Sequence, residues 1–505
     1  MIVEDYMLMI DKAILDTNLA ICKNVESFDK SERGLLSQNI LSQLRNFVEY
    51  IAGKIYANGA DVDPNNYPQK GVAIEYLKSR GELQFLHKFH NLLQLSVSHY
   101  TIDEDGSERL MLKYYEYLLK IKFFLKRFYN LDVLENIEKF PLDTDKELFE
   151  YHKKISEKIC NPSFDCHVNP YNDRYYIQKI KPFFVGQQIF YEITFTLANN
   201  RSSKFDRIIA FTQLDILENY AVKLAIHNDH IEIFGKTMTI MVIHDWRVSI
   251  RPCEFDNFTK IFGQSQRISS NSKEYTGLMT FLTERKITFS ELIKAQDGFY
   301  QYIKSKVTEN SKSIYFFHIL DQCRNLILSN KSGANIIRYL LYRLNNKIIK
   351  DQYKYEECDK LSGLRLEYGC IPFDQMPYAS SLINHNPSIY DLFECISHNG
   401  REHELLGRLI RNNTEIKGEL FTPQKEITSC NSINSLNCLI QTYNSKLYYK
   451  HQHRRIEVLY DNIYIRGYAE DSAFIIQELK QLAAKGVYQY TNSHTCPNNF
   501  QNGII

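Results

Sequence analysis

Arginine and histidine side chains in the first hundred residues are spaced so that they could act on a phosphodiester. Six residues separate Arg80 from His87, His99 follows on the same predicted helix, and Arg45 lies on an earlier one. A guanidinium group can hold a phosphate, and an imidazole can move a proton near neutral pH. The candidate catalytic residues are therefore Arg80, His87, His99 and Arg45.

The same side chains also fit a purely structural role. His87, His90 and His99 would then be partly buried helix residues whose ring nitrogens are hydrogen-bonded within the fold. Arg45 and Glu49 are four residues apart, so they could simply form an ion pair along one helix. The sequence leaves both interpretations open.

Helices must position these side chains. A buried helical face is predicted by apolar residues at three- and four-residue steps, namely Leu83, Leu86, Phe89, Leu93 and Val97. Ser107 can cap the next helix, which runs to Tyr129. With further helical patterns at residues 3–22 and 31–56, the short connections predict a helical bundle over residues 1–135.

This bundle resembles a HEPN domain over roughly the first quarter of the chain. The segment from Arg45 to Glu49 matches the family's Arg-x-x-x-Glu pattern, and HKFHNLLQLSVSH resembles the helix that ends in the family histidine. HEPN domains are helical bundles of prokaryotic ribonuclease toxins and defence proteins, which often dimerise and often cleave RNA with an Arg-x4-6-His motif. The resemblance implies a metal-independent site in which arginine and histidine are contributed by both copies of a dimer.

The chain departs from the family pattern at its catalytic motif. Asn91 and Gln94 stand where an arginine would precede His99, and Tyr50 stands where a histidine would complete the motif after Arg45. These departures favour binding or docking over catalysis. The layout also resembles the region that precedes the motor in bacterial helicase-fused proteins, which implies an ATPase or helicase as a partner.

The middle of the chain changes its hydrophobic period from helical to alternating. Residues 136–174 predict a linker helix and a loop, and residues 175–254 predict an antiparallel β sandwich or barrel. Helical periodicity returns over residues 255–430. One helix there carries a basic ridge that could lie along phosphates, formed by Arg343, Lys347 and Lys350.

The last ordered unit, residues 431–490, predicts a helix, a β-hairpin with Asp461-Asn462 at its turn, and a closing helix. Residues 491–505 predict a loose tail. The densest group of basic and aromatic residues lies between helix and hairpin, where cations could hold phosphates and aromatic rings could stack on bases. Its candidate nucleic-acid-binding residues are Lys446, Tyr449, Lys450, His453, Arg454 and Arg455.

Composition and charge narrow the function classes. The formal net charge of +1 gives no global field that would draw the chain to nucleic acid, so binding must depend on local patches. No apolar run is long enough for a membrane span, and the N-terminus has acidic residues where an export signal needs basic ones. The 11 scattered cysteines then favour a reducing cytoplasm. No P-loop, dinucleotide fingerprint or convincing zinc spacing appears, so no cofactor and no metal are predicted.

Taken together, the sequence predicts an α+β multidomain protein: an N-terminal helical bundle, a central antiparallel sheet, and a mostly helical C-terminal region that ends in a small α-β-hairpin-α unit. The favoured function is association with nucleic acid, RNA before DNA, in bacterial phage defence or stress, as a homodimer. The alternatives are a metal-independent HEPN ribonuclease toxin, or a protein–protein scaffold that partners a helicase or ATPase.

Overall fold

A computed structural model gives the fold of the chain. It describes residues 2–27, 40–59, 70–78, 83–97, 107–140, 142, 146–161, 173–198, 207–264, 268–309, 311, 314–329, 334–344, 349, 400–415, 417–428, 433–447 and 449–485. Within these ranges helices lie at the N-terminus and a sheet lies in the middle, as the sequence predicts. Of the candidate residues, Arg80, His99, Lys347 and Lys350 lie outside the described residues.

The N-terminal bundle consists of α1 (Ile2–Ser27), α2 (Leu41–Gly59), α3 (Lys70–Lys78), α4 (Gln84–Val97) and α5 (Ser107–Tyr129). Its core contains Leu86, Phe89 and Leu93 from the apolar face that the periodicity predicts for α4, and Phe89 stacks on Tyr117 of α5 with ring centroids 4.8 Å apart. On α2 the buried side chains are Leu44, Phe47, Val48, Ile51 and Ile55.

The central sheet follows α6 (Lys146–Cys160) and contains β1 (Tyr175–Val185), β2 (Gln188–Leu197), β3 (Ile208–Thr212), β4 (Val222–Ile233) and β5 (Lys236–Val248). The strands pair in the order β1-β2-β3-β5-β4. The last strand in this order also pairs with the first, because Tyr175 of β1 pairs with Val222 of β4. The sequence predicts only antiparallel pairs. The structure adds a parallel contact between β3 and β5 at Phe211 and Val242, because the chain crosses over after β3.

A buried ion cluster joins the bundle to the sheet. The Glu116 carboxylate of α5 accepts hydrogen bonds from Lys120 at 2.8 Å and from the hydroxyl of Tyr191 on β2 at 3.1 Å. Lys113 lies 3.3 Å from the other carboxylate oxygen. The two lysines hold the pKa of the Glu116 carboxyl below its usual value despite burial. The cluster links α5 to β2, and its charged groups pair with one another.

Helices return after the sheet as α7 (Pro252–Thr259), α8 (Lys273–Arg285), α9 (Phe289–Lys294), α10 (Asp297–Thr308), α11 (Phe316–Leu328) and α12 (Ala334–Tyr342). The first of them begins two residues before the predicted end of the β segment, because Pro252 takes the first helical position and the Glu254 carboxylate accepts a hydrogen bond from the amide of Arg251 at 3.2 Å.

The chain divides into two units, Met1–Arg408 and Leu409–Ile505. The predicted bundle, linker and sheet segments all belong to the first unit. In the second unit, β6 (Thr422–Pro423) pairs with the C-terminal hairpin.

The second unit contains the end of α13 (Glu402–Glu415), then β6, α14 (Gln424–Thr428), α15 (Ile433–Lys446), β7 (Ile456–Leu459), β8 (Asn462–Ile465) and α16 (Arg466–Ala484). The three strands form one sheet in the order β6-β8-β7. The hairpin turn consists of Tyr460 and Asp461 rather than Asp461 and Asn462, because Asn462 already pairs with Leu459.

Hydrogen bonds join both α15 and α14 to the hairpin. The Asn444 side chain donates to the carbonyl of Ile456 and accepts from the amide of the same residue, both at 2.9 Å. The amide of Gln424, at the start of α14, donates to the carbonyl of Asp461 at 2.8 Å. The helix α15 is therefore tied to the first strand of the hairpin, and α14 is tied to its turn.

Gly467 is required where α16 begins. A Cβ at this position would lie 2.8 Å from the carbonyl oxygen of His453, which is closer than real contacts allow. We expect Gly467→Ala to destabilise the second unit by about 1–3 kcal/mol, because helix and turn must separate. Hydrogen exchange of the β8 and α16 amides measures this loss. The control is Gly298→Ala on α10, where a Cβ meets nothing within 4 Å. Equal exchange in both variants would contradict the packing described.

None of the helices in the described ranges combines the length and the apolar composition that crossing a bilayer demands.

Candidate functional site

Packing of α2 against α4 brings together an arginine, a glutamate and a histidine. His90 Nε2 lies 3.3 Å from Glu49 Oε1, and Arg45 Nε lies 3.8 Å from the same oxygen. The Gln94 amide nitrogen lies 3.4 Å from His90 Nε2. The Arg45 side chain is 36% exposed, whereas Glu49 and His90 are nearly buried. The cluster therefore opens to solvent through its cation.

The chemistry of this cluster depends on the protonation of His90. Burial lowers the pKa of His90 below its usual value, while the hydrogen bond and charge of Glu49 act in the opposite direction. An ionised carboxylate only accepts, so Nε2 carries the proton that faces Glu49 and Nδ1 is left as the basic nitrogen of a neutral ring. A neutral imidazole beside a guanidinium is a combination that can bind phosphate and accept a proton.

The histidine brought to Arg45 is not one of the predicted catalytic pair. His87 is buried at 6% exposure, and its Nδ1 lies 3.5 Å from the Asn91 side chain one turn along α4. The structure thus places His87 towards the core and His90 against α2. Sequence spacing could not separate them, because only the packing angle between α2 and α4 decides which histidine faces Glu49.

Replacing Glu49 tests this arrangement. Glu49→Gln removes the charge that raises the pKa of His90, so we expect that pKa to fall further below its usual value. An NMR titration of the His90 ring protons measures the shift, and Glu150→Gln on the exposed face of α6 serves as the control. A rise in the His90 pKa in the Glu49 variant would show that the two side chains do not interact as described.

Of the residues of the predicted basic ridge, the structure describes only Arg343. This arginine follows the last residue of α12, and its guanidinium lies 3.5 Å from the Glu218 carboxylate and 3.5 Å from the Glu218 carbonyl oxygen. Glu218 stands in the connection from β3 to β4, so this arginine ties the helices to the sheet. The Arg343 side chain is still 28% exposed, and its contact with phosphate stays a prediction.

The C-terminal basic cluster divides into exposed and buried members. Lys446, His453 and Arg455 are exposed, while Arg454 is buried at 8% exposure. Arg454 lies where its charge acts on the Tyr468 hydroxyl at the start of α16, and its contact with nucleic acid stays a prediction. Tyr449 and Lys450 lie in the same 3-10 turn, Tyr449–Arg454.

The outward face of α15 is a polar surface that the sequence prediction did not identify. Leu436, Ile440 and Tyr443 are buried, which turns the opposite side of the helix to solvent. That side carries short polar side chains and one terminal cation, namely Asn437, Cys438, Gln441, Ser445 and Lys446. The chain is 24% charged, yet these 14 residues contain no acid. The absence of acidic residues from this segment is the sequence signal that could have identified the face.

The hairpin turn carries an exposed aromatic side chain. Tyr460 is 88% exposed and has a φ of 54°, in the left-handed region that a two-residue hairpin turn requires. An exposed tyrosine at the tip of a hairpin offers an aromatic face and a hydroxyl to a ligand. Arg455 precedes the hairpin and is exposed as well.

Comparison with known proteins gives no relative from which a role could be carried over. No family model, no curated protein and no solved structure matches this chain. Among the residues that the structure describes, no group of three or more His, Cys, Asp or Glu side chains could hold a metal ion. The function must therefore be argued from the two surfaces alone.

Proposed function

We propose that the chain binds nucleic acid, and that the second unit does so by placing α15 against duplex DNA. The observation that carries this is the order of elements: helix, strand, short helix, second helix and two-stranded hairpin, with sheet order β6-β8-β7. This is the order of winged helix-turn-helix units, in which the second helix of the pair enters the major groove and the hairpin contacts the backbone. A fold alone does not prove a function, so the surface must support it.

The surface chemistry agrees with such a role. The acid-free outer face of α15 would meet no repulsion from phosphates on either side of a groove. Asparagine and glutamine amides can donate to and accept from the edge of adenine, and Asn437 and Gln441 lie on this face. Lys446 and Arg455 lie at its C-terminal end, where they would contact the phosphate backbone.

The shape of the unit favours DNA over RNA. The major groove of B-form DNA admits an α-helix, whereas the deep, narrow major groove of A-form RNA does not. The sequence prediction places RNA before DNA, and the geometry of α15 and the hairpin is our reason for reversing that order. The scattered cysteines support a reducing cytoplasm as the compartment of this activity.

A second candidate function rests on the first unit. The contact of Arg45 and His90 with Glu49 supports a HEPN-like bundle, and in a ribonuclease Arg45 would hold phosphate while His90 moved the proton. RNA cleavage in EDTA that is lost in His90→Ala, and retained in His87→Asn, would support this role in phage defence or stress. We place it second because Tyr50 occupies the family's histidine position.

A binding titration tests the proposal. We expect the full chain to bind a random 20-base-pair duplex with an affinity that falls as salt rises. Replacing both Lys446 and Arg455 by alanine should weaken binding about tenfold or more and lower the salt slope by about two. The matched control replaces two exposed lysines of the first unit, Lys126 and Lys139.

Each outcome of this titration decides between the candidates. Equal losses in the two double variants would contradict a site on the second unit. Tighter binding to an RNA hairpin than to the duplex would overturn the preference for DNA. No binding to either would leave the interaction scaffold with a helicase or ATPase partner.

A further inference from the structure

The last helix, α16, exposes a row of apolar side chains beyond its first turn. Ile475, Leu479 and Leu482 are 57%, 58% and 58% exposed, and Ile476 beside them is 52% exposed. Contiguous apolar surface of this kind marks an interaction site more often than single exposed residues do. The start of the helix, by contrast, packs within its own unit through Gly467.

The spacing of these residues is that of a helix pair. Ser472, Ile475, Leu479 and Leu482 follow one another at steps of three, four and three, which is the a/d repeat of a coiled-coil seam. Ile476 flanks this seam on one side. The partner that such a seam selects is a second amphipathic helix with the same repeat.

The charges along α16 indicate which helix pairs with it and in which direction the two helices run. Asp471 and Glu478 lie along the other flank of the seam and Lys485 follows at the next heptad step. An antiparallel copy places Asp471 near Lys485 of the other helix, twice per pair, and sets Ile475 against Leu479 in the core. Parallel pairing would set Asp471 and Glu478 against Ile476 and Ala483 of the other helix and would form no such ion pairs. Glu478 lies near the two-fold axis and meets its own copy, which opposes pairing in part.

We propose that α16 pairs antiparallel with α16 of a second copy of this chain. The pair would fix the second units about a two-fold axis. This step deepens the proposed function, since the two α15 helices would then read a two-fold symmetric duplex. The pairing itself does not depend on DNA and is measured without it.

Charge exchange at the ends of the seam tests the proposal. The mass of the full chain, followed against concentration by analytical ultracentrifugation, should show a dimer. Asp471→Lys sets two cations against each other at each end of the seam, and Lys485→Asp sets two carboxylates against each other there. Each variant alone should therefore dimerise at least about tenfold more weakly. Mixed together, the two variants should form a heterodimer, because each end of the seam then joins an ammonium group of one chain to a carboxylate of the other.

Substitutions at exposed positions test the helix pairing without disturbing the fold of the single chain. Leu479→Lys should abolish the dimer, whereas Phe474→Ser, at an apolar position that is 63% exposed but lies outside the seam, should not. A monomer at all concentrations, or a dimer indifferent to both Leu479→Lys and the charge exchange, would overturn the proposal. If the unmodified chain is a monomer at all concentrations and still binds the duplex, only this inference falls. If the dimer persists without DNA binding, the proposed function falls instead.

Discussion

Replacing Asn437 and Gln441 together by alanine should abolish the discrimination between DNA sequences while most non-specific binding remains. Both side chains lie on the outward face of α15, where the arrangement of the second unit would turn them to base edges. Each amide that pairs with a base contributes about 1–3 kcal/mol of discrimination. The double variant should therefore lose about 30-fold or more in preference for a selected site. Lys446 and Arg455 remain, so salt-dependent binding persists.

Selection of duplexes from a random library, followed by titration of the preferred and a scrambled sequence, measures this preference. Alanine is the strongest helix former, so the double variant should keep α15 intact. The matched control replaces Gln477 and Gln481 by alanine on exposed positions of α16. Undiminished preference in the α15 variant, or an equal loss in the control, would show that another surface reads the sequence.

Replacing His152 by phenylalanine should remove a large part of the acid sensitivity of the first unit. His152 on α6 is buried and stacks on Phe183 of β1, with ring centroids 4.2 Å apart. Burial, assisted by the charge of Lys181, lowers the pKa of His152 from 6.5 to about 4. The folded state thus holds the ring neutral where the unfolded chain would protonate it.

The sign of the pH dependence follows from this difference. Because the folded pKa lies below the unfolded one, the unfolded state binds more protons as pH falls below 6.5, and stability is lost down to about pH 4. The full difference corresponds to about 3 kcal/mol. Phenylalanine can occupy the same stack without titrating, so the variant should lose less stability over this range.

Denaturant unfolding at pH 7.5, 5.5 and 4.5 measures the effect. His230→Gln on an exposed position of β4 is the control, since its ring is not held within the core. His90, His227 and His244 also have lowered pKa values in the fold, so some acid sensitivity should remain in every variant. If His152→Phe lost as much stability between pH 7.5 and pH 4.5 as the unmodified chain, the result would contradict the burial of a neutral ring at this position.

Periodic features of the fold could be predicted from the sequence. The buried faces of α2 and α4 follow from three- and four-residue spacing, and the C-terminal hairpin follows from its alternation around a turn. Each of these elements buries a continuous stripe of apolar side chains, so the spacing of apolar residues in the sequence predicts it. The coarse arrangement of bundle, sheet and C-terminal helices is therefore confirmed.

Features that depend on packing between distant segments could not be predicted. β6 consists of Thr422 and Pro423 alone, and two residues carry no period. The burial of Arg454 and the contact between Arg343 and Glu218 are tertiary features of this kind. The choice of His90 over His87 as the neighbour of Arg45 likewise depends on how two helices cross. The charge and spacing of residues in the sequence identify candidates for ligand binding, but tertiary contacts decide which of these side chains remain accessible to a ligand.

Alkylation of Cys438 tests the central claim most directly, because this thiol lies exposed in the middle of the α15 face. Cys160 and Cys253 are also exposed, lie in the first unit and serve as internal controls in the same molecule. Peptide mass spectrometry would follow the alkylation of each thiol in the full chain, with and without duplex DNA. The account predicts that the duplex slows alkylation of Cys438 and leaves Cys160 and Cys253 unchanged. Bound DNA that leaves Cys438 as reactive as before would contradict it.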